Sequence, residues 1–156
     1  MILPINDSFR PQVNQLIAEE WAGPVIVTKG TVHDTTNADG FISVDDGELT
    51  GYLLYTIENG QCEILVLHSL LKNHGIGSSL IKSVIQTAKE NRCKCVWLIT
   101  TNDNTHAIRY YQKFGFELTG VYLNALDESR KLKPSIPRLG NDGIPLKHEF
   151  EFSYFV

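Results

Sequence analysis

The stretch LLKNHGIGSSLI, Leu70 to Ile81, sets Lys72, Gly75 and Gly77 between an apolar run and the first turn of an amphipathic segment. A glycine pair there marks a turn, but a glycine-opened helix start after a strand is also a place where bare backbone N–H groups hold phosphate. Its neighbours decide between the two. Upstream, CEILVLHSL (Cys62–Leu70) reads as an apolar strand. Downstream, Leu80, Ile81, Val84, Ile85 and Ala88 recur at spacings of three and four, which predicts a helix to about Lys89. CVWLIT (Cys95–Thr100) is another apolar strand, so the series predicts a right-handed β-α-β crossover with parallel strands. In that context the helix N-terminus opens at the carboxyl edge of the sheet, where ligands bind. The dinucleotide fingerprint, with its third glycine and following acid, and the P-loop, with its Gly-Lys-Ser/Thr, are both missing.

Working outward, FISV, GYLLYTI and CEILVLHSL are separated by Asp46-Gly47 and Asn59-Gly60, the strongest short hairpin signals, and predict an antiparallel meander. Before it, Phe9, Val13, Leu16, Ile17 and Trp21 define an amphipathic helix, with Asp7 or Ser8 to cap it and Gly23-Pro24 to stop it. PVIVTKG is either a strand or the start of an irregular segment that runs to Gly40. After the crossover, Asn104 caps a helix carrying Ala107, Ile108, Tyr111 and Phe114, which ends at Gly115. FELTGVYLNAL follows as a strand, Asp127 to Pro145 as a long loop, and LKHEFEFSYFV as an alternating final strand. The sum is an α/β chain, residues 1–156 in one domain, whose mixed central sheet has helices on its faces.

Composition narrows the classes. The net charge of −4 and scattered basic residues lack the footprint of a nucleic-acid binder, and the Arg130, Lys131, Lys133 and Arg138 cluster is too short to supply one. No window approaches the roughly 18 apolar residues of a membrane span. MILPINDSFR has no basic region followed by an apolar core, so the expected location is cytoplasmic. Cys62, Cys93 and Cys95 fit reduced core thiols, and no Cys or His pair completes a metal site around Cys93 and Cys95.

Two motifs resemble one family. Lys72-Asn73-His74-Gly75-Ile76-Gly77 is similar to the Gln/Arg-x-x-Gly-x-Gly/Ala loop of the GNAT superfamily of acetyl-CoA-dependent N-acetyltransferases. Asn104-Thr-His-Ala107-Ile-Arg-Tyr110-Tyr111, followed by Gly115-Phe116, is similar to its Asn-x-x-Ala-x-x-x-Tyr segment. The resemblance runs from about Leu49 to Phe116, and RKLKPSIPRLGNDGIP resembles a C-terminal pattern of a bacterial subgroup of unassigned substrate. It implies the GNAT fold: an antiparallel N-terminal meander, then a parallel β-α-β unit, flanked by helices.

The resemblance also implies roles. Backbone N–H groups from about His74 to Ser78 hold the pyrophosphate of acetyl-CoA, and Lys72 adds charge where the family usually has Gln or Arg. Leu65, Val66 and Leu67 pair with the pantetheine arm on a strand that splays from its neighbour. Asn104 bonds that arm, caps its helix, or does both; Ala107 belongs to the same motif. Tyr111 matches the general acid that protonates the departing thiolate, against the alternative of a core tyrosine, and Tyr110 reads as a packing residue. Glu63, a carboxylate in an apolar strand, is the candidate base, against a cross-strand hydrogen bond. His68, His148, Glu149 and Glu151 are further options.

The acceptor site is expected from Trp21–Gly40 and Asp127–Pro145, where Arg130 and Lys131 either hold a substrate carboxylate or, more in keeping with a loop, are solvated. The implied function is acetyl transfer from acetyl-CoA to an unidentified primary amine by direct attack in a ternary complex, in a monomer or homodimer. The alternative is a non-catalytic acyl-CoA-binding or regulatory module.

Overall fold

A seven-stranded sheet in the order β1-β4-β5-β6-β7-β9-β8 organises the computed structural model, which describes residues 1–156. Its strands are β1 (Ile2–Pro4), β4 (Asp39–Asp45), β5 (Glu48–Glu58), β6 (Gln61–Ser69), β7 (Cys95–Thr101), β8 (Glu117–Tyr122) and β9 (Glu149–Phe155). A separate hairpin joins β2 (Val25–Thr28) to β3 (Thr31–Asp34). The helices are α1 (Arg10–Trp21), α2 (Ile76–Glu90), α3 (Thr105–Phe114) and α4 (Ala125–Leu132).

The meander forms as its turn chemistry demands. Asp46-Gly47 and Asn59-Gly60 all take positive φ (51°, 76°, 53° and 71°), the twist that a two-residue hairpin turn requires. β6 and β7 are parallel, the one parallel pair in the sheet, and α2 crosses between them. Their pairing covers only Gln61–Ile64 against Cys95–Leu98, so beyond Ile64 the β7-facing edge of β6 has no strand beside it.

A bulge lies at the point of separation. Leu54 pairs with Val66 but Tyr55 with Ile64, which leaves Leu65 extra. Because strand side chains alternate, one extra residue reverses their phase. Cys62 and Ile64 join the core under α2, with Leu80, Ile81, Val84, Val96, Leu98 and Phe152. Val66, two residues after Ile64, instead joins the core under α1, with Val13, Ile17, Ile42 and Tyr52. Glu63 and Val66 therefore face the same side of the sheet.

Two sequence expectations change, one open alternative resolves to a strand, and one strand is new. PVIVTKG is the first strand of a hairpin turned at Lys29-Gly30, not the start of an irregular segment. Asp127–Pro145 is not all loop: Ala125–Leu132 is helical, with Leu126 and Ser129 buried. Asp127 and Glu128 sit in its first turn and Arg130 and Lys131 in its last, a distribution that suits the helix dipole. Neither Asp7 nor Ser8 caps α1; the Asn6 side chain accepts from the Ser8 and Phe9 N–H groups. β1, too short to show periodicity, adds an edge strand beside β4. No helix is long and apolar enough to cross a membrane.

Candidate active site

The turn before α2 exposes its backbone. Asn73 and Gly75 take φ of 62° and 69°, and Gly75 occupies the N-cap without a side-chain cap. Helix geometry leaves the first N–H groups without partners. Here the unpaired run is longer: no backbone N–H from Leu71 to Ser78 donates within the protein, and the first bond is Ser79 N–H to Gly75 O at 3.1 Å. A Cβ on Gly77 would stand 3.2 Å from the Tyr110 hydroxyl, which itself lies 2.8 Å from Ser78 Oγ. Tyr110 is therefore more than the packing residue expected from sequence; it braces the loop.

These residues border a cleft of about 670 Å³ that also includes Leu67, Lys72, His74, Asn104, Ala107 and Tyr111. Leu65 and Val66 do not line it, because the bulge turns their side chains toward the α1 core. The Asn104 side chain accepts from Ala107 N–H at 3.2 Å, so the cap is formed at the cleft wall. Tyr111 is 9% exposed, stacked on Tyr110 at 5.4 Å and edge-on to Phe116 at 5.4 Å. Burial pushes its hydroxyl above the usual phenol range, with Tyr110 adding to the shift. The phenol thus keeps its proton throughout the neutral range.

A second group of polar residues lies on the opposite side of the sheet, under the β2–β3 hairpin. Glu63 is buried, accepts from Thr28 Oγ1 at 2.7 Å, and stands 3.5 Å from His33 Nε2. Burial raises it to about 7; Thr28 and Lys29 oppose that rise, while Glu149 and Glu151 add to it. Burial lowers His33, so its contact with Glu63 near neutral pH is to an uncharged imidazole. On β9, burial raises Glu149. Burial also acts to raise Glu151, but bonds from Lys29, Thr119 and Tyr122 outweigh it and hold Glu151 below the usual carboxylate range.

The remaining sequence candidates have structural duties. His68 Nδ1 lies 3.2 Å from Glu20 and its ring stacks on Tyr52. His148 Nδ1 accepts from Asn124 N–H at 2.8 Å. Arg130 is not a solvated side chain: it donates to the Pro137 and Leu146 carbonyls and closes the loop after α4. Lys131 pairs with Glu128 on the surface. Lys133, in contrast, joins the two expected acceptor segments by donating to the Trp21 and Val25 carbonyls. Sequence reading covered Thr28 and Lys29 only as members of the expected acceptor segment Trp21–Gly40, where the x-Gly pair at the centre of VIVTKGTVHD marked the turn, and it missed Trp97 and Tyr122.

Comparison with known proteins agrees with this geometry. Residues 9–116 match the Acetyltransferase (GNAT) family. An uncharacterized Bacillus subtilis protein, YdhI, is 37% identical over 157 residues, covering 100% of this chain and 98% of its own. A spermine/spermidine N(1)-acetyltransferase from B. subtilis is 30% identical over 86 residues, 48% of this chain and 57% of that one. Among solved structures, a GNAT family acetyltransferase from Elizabethkingia anophelis with acetyl-CoA bound shares the fold, with a TM-score of 0.73 and 18% identity over 100% of this chain and 97% of that chain. Both in the residues of its loop and in the splayed strands beside it, the chain belongs to the GNAT family of acetyltransferases.

Proposed function

We propose that residues 1–156 act as one domain that transfers an acetyl group from acetyl-CoA to a primary amine by direct attack in a ternary complex. The observation that carries this reading is the run of unbonded N–H groups from Leu71 to Ser78, at the mouth of the gap between β6 and β7. Such donors at a helix N-terminus suit a diphosphate. Beside them, a groove of about 810 Å³ between α2 and α3 is lined by Lys82, Lys89, Arg109 and Lys113 with no acidic residue, and suits the phosphorylated adenosine end. The free edge of β6 beyond Ile64 offers backbone groups to the amides of the pantetheine arm, which leads the thioester toward Tyr111.

The proposed chemistry divides between the faces of the sheet. An aliphatic ammonium, with a pKa near ~10.4, must lose a proton before it attacks. Glu63, near 7, accepts that proton directly or through water. The Tyr111 hydroxyl, which has no hydrogen-bond partner in the protein, donates to the departing thiolate. With a thiol near ~8.5, a raised phenol makes this transfer uphill, so Tyr111 assists rather than dominates.

Calorimetry with CoA and thiol release with a panel of amines test the reading. CoA binds the wild-type chain, and Gly75→Val, which forces a β-branched residue into the left-handed region, removes binding. A wild-type chain with no CoA heat would overturn the proposal. CoA binding without thiol release for any amine would reduce it to a binding module.

A further inference from the structure

The cluster under the hairpin holds more than a base. Glu149 and Glu151 on β9, Trp97 on β7 and Tyr122 on β8 surround one cation, Lys29, at the hairpin tip. Lys29 Nζ lies 2.8 Å from Glu151 Oε1 and 5.1 Å from the centroids of both the Trp97 and Tyr122 rings. An ammonium between two aromatic faces and a carboxylate is a strong arrangement for a cation. The carboxylate is fixed independently, since Tyr122 donates to Glu151 Oε1 at 3.1 Å and Thr119 to Oε2 at 2.9 Å.

Two observations show that Lys29 does not complete the site. Glu149 is 2% exposed, and while its Oε2 accepts the Lys29 backbone N–H at 3.4 Å, its Oε1 has no partner. A buried carboxylate oxygen without a donor is costly, so the pocket retains unused capacity for positive charge. Second, Lys29 takes φ of 49° before Gly30 at 74°, in a turn that favours Asn, Asp or Gly. Its side chain is 38% exposed and can leave without opening the core. No group of three or more His, Cys, Asp or Glu is arranged to hold a metal ion, which leaves an organic cation.

We infer that the cage of Trp97, Tyr122, Glu149 and Glu151 recognises a second cationic group on the acceptor, beyond the nitrogen acetylated, and that Lys29 is its displaceable resident. The acceptor is then a diamine or polyamine. This assignment rests on the proposed transfer for its use, while the cage itself rests on its own contacts. Thr28 and Lys29 are consecutive and hold Glu63 and Glu151 respectively, so the candidate base and the cage are neighbours under one turn.

The test uses the full chain, first without cofactor. N-permethylated putrescine is a dication with no acylatable nitrogen. By calorimetry, Lys29→Asn, which suits the turn and removes the competitor, binds it about tenfold more tightly than wild type. Adding Glu151→Gln to that variant reverses the gain, with the melting temperature followed to verify folding. In the thiol-release assay, Lys29→Asn lowers the KM of putrescine relative to that of n-butylamine. No gain in probe affinity, or an unchanged KM ratio, overturns the inference. A chain that fails to bind CoA overturns the proposed function instead, and leaves the probe titration standing.

Discussion

At the scale of single residues, the two candidate catalytic groups are displaced from ordinary behaviour by burial, and each displacement has a measurable consequence. Glu63 titrates near 7 in the folded chain against 4.5 when free. A carboxyl raised in this way favours folding only while protonated, so its penalty is absent below about 4.5 and grows as pH rises to about 7. That difference corresponds to roughly 3 kcal/mol. Glu63→Gln is therefore expected to raise stability in denaturant titrations at pH 8 and to leave it unchanged at pH 4, while thiol release loses the rise in rate with an apparent pKa near 7. Equal stability shifts at both pH values would show that Glu63 is not held protonated by its surroundings. Tyr111 behaves differently, because its hydroxyl lies at the cleft without a protein partner. Tyr111→Phe removes a polar group that the fold does not satisfy, so stability holds while turnover falls about 10² fold, the low end for an acid-base group. A loss of stability with turnover retained would make it a core residue only.

At the scale of elements, legibility followed the reach of the signal. The Asn-Gly and Asp-Gly turns, the α2 stripe and the Asn104–Gly115 helix are local patterns, and they read correctly. The β2–β3 hairpin did not, because Lys29-Gly30 lacks the usual first turn residue and its strands are only four residues each. The helix at Ala125–Leu132 was hidden by the prolines and glycines that follow it. Glu149 and Glu151 were visible as polar members of an alternating strand, but their partners come from β2, β7 and β8, and no sequence spacing reports that. The bulge at Leu65 was equally hidden, and it has a consequence of its own. Deleting Leu65 closes the ladder with Leu54 still opposite Val66 and Tyr55 opposite Ile64, so Val66 and His68 keep facing α1 and Leu67 keeps facing α2. The expected result is a loss of only about 1–2 kcal/mol in equilibrium denaturation, from the missing Leu65 side chain, with weaker CoA binding in calorimetry because the bulge no longer bends β6 away from β7. Unchanged CoA affinity would mean that the separation of the two strands does not depend on the bulge.

At the scale of the whole molecule, the sheet separates the two proposed substrates. The basic groove and the unbonded loop lie on the α2 and α3 side, and Glu63, Glu149 and Glu151 lie on the hairpin side. The gap between β6 and β7 connects the sides, because pairing stops at Ile64 and Leu98. Anionic cofactor and cationic amine thus approach oppositely charged surfaces of a chain with a net charge of −4. Cofactor binding should act on the first side alone. At a CoA concentration about 100 times Kd, mass action adds ~2.7 kcal/mol to stability. For a chain of this length that raises Tm by roughly 5–10 °C. In hydrogen exchange, CoA slows the amides from Leu71 to Ser78, now open to water, and those along the free edge of β6. The hairpin from Val25 to Asp34 keeps its own rates until an amine is added. Protection that spread at once to the hairpin with CoA alone would mean that the faces are coupled through the gap, and the amine would then enter a site already closed.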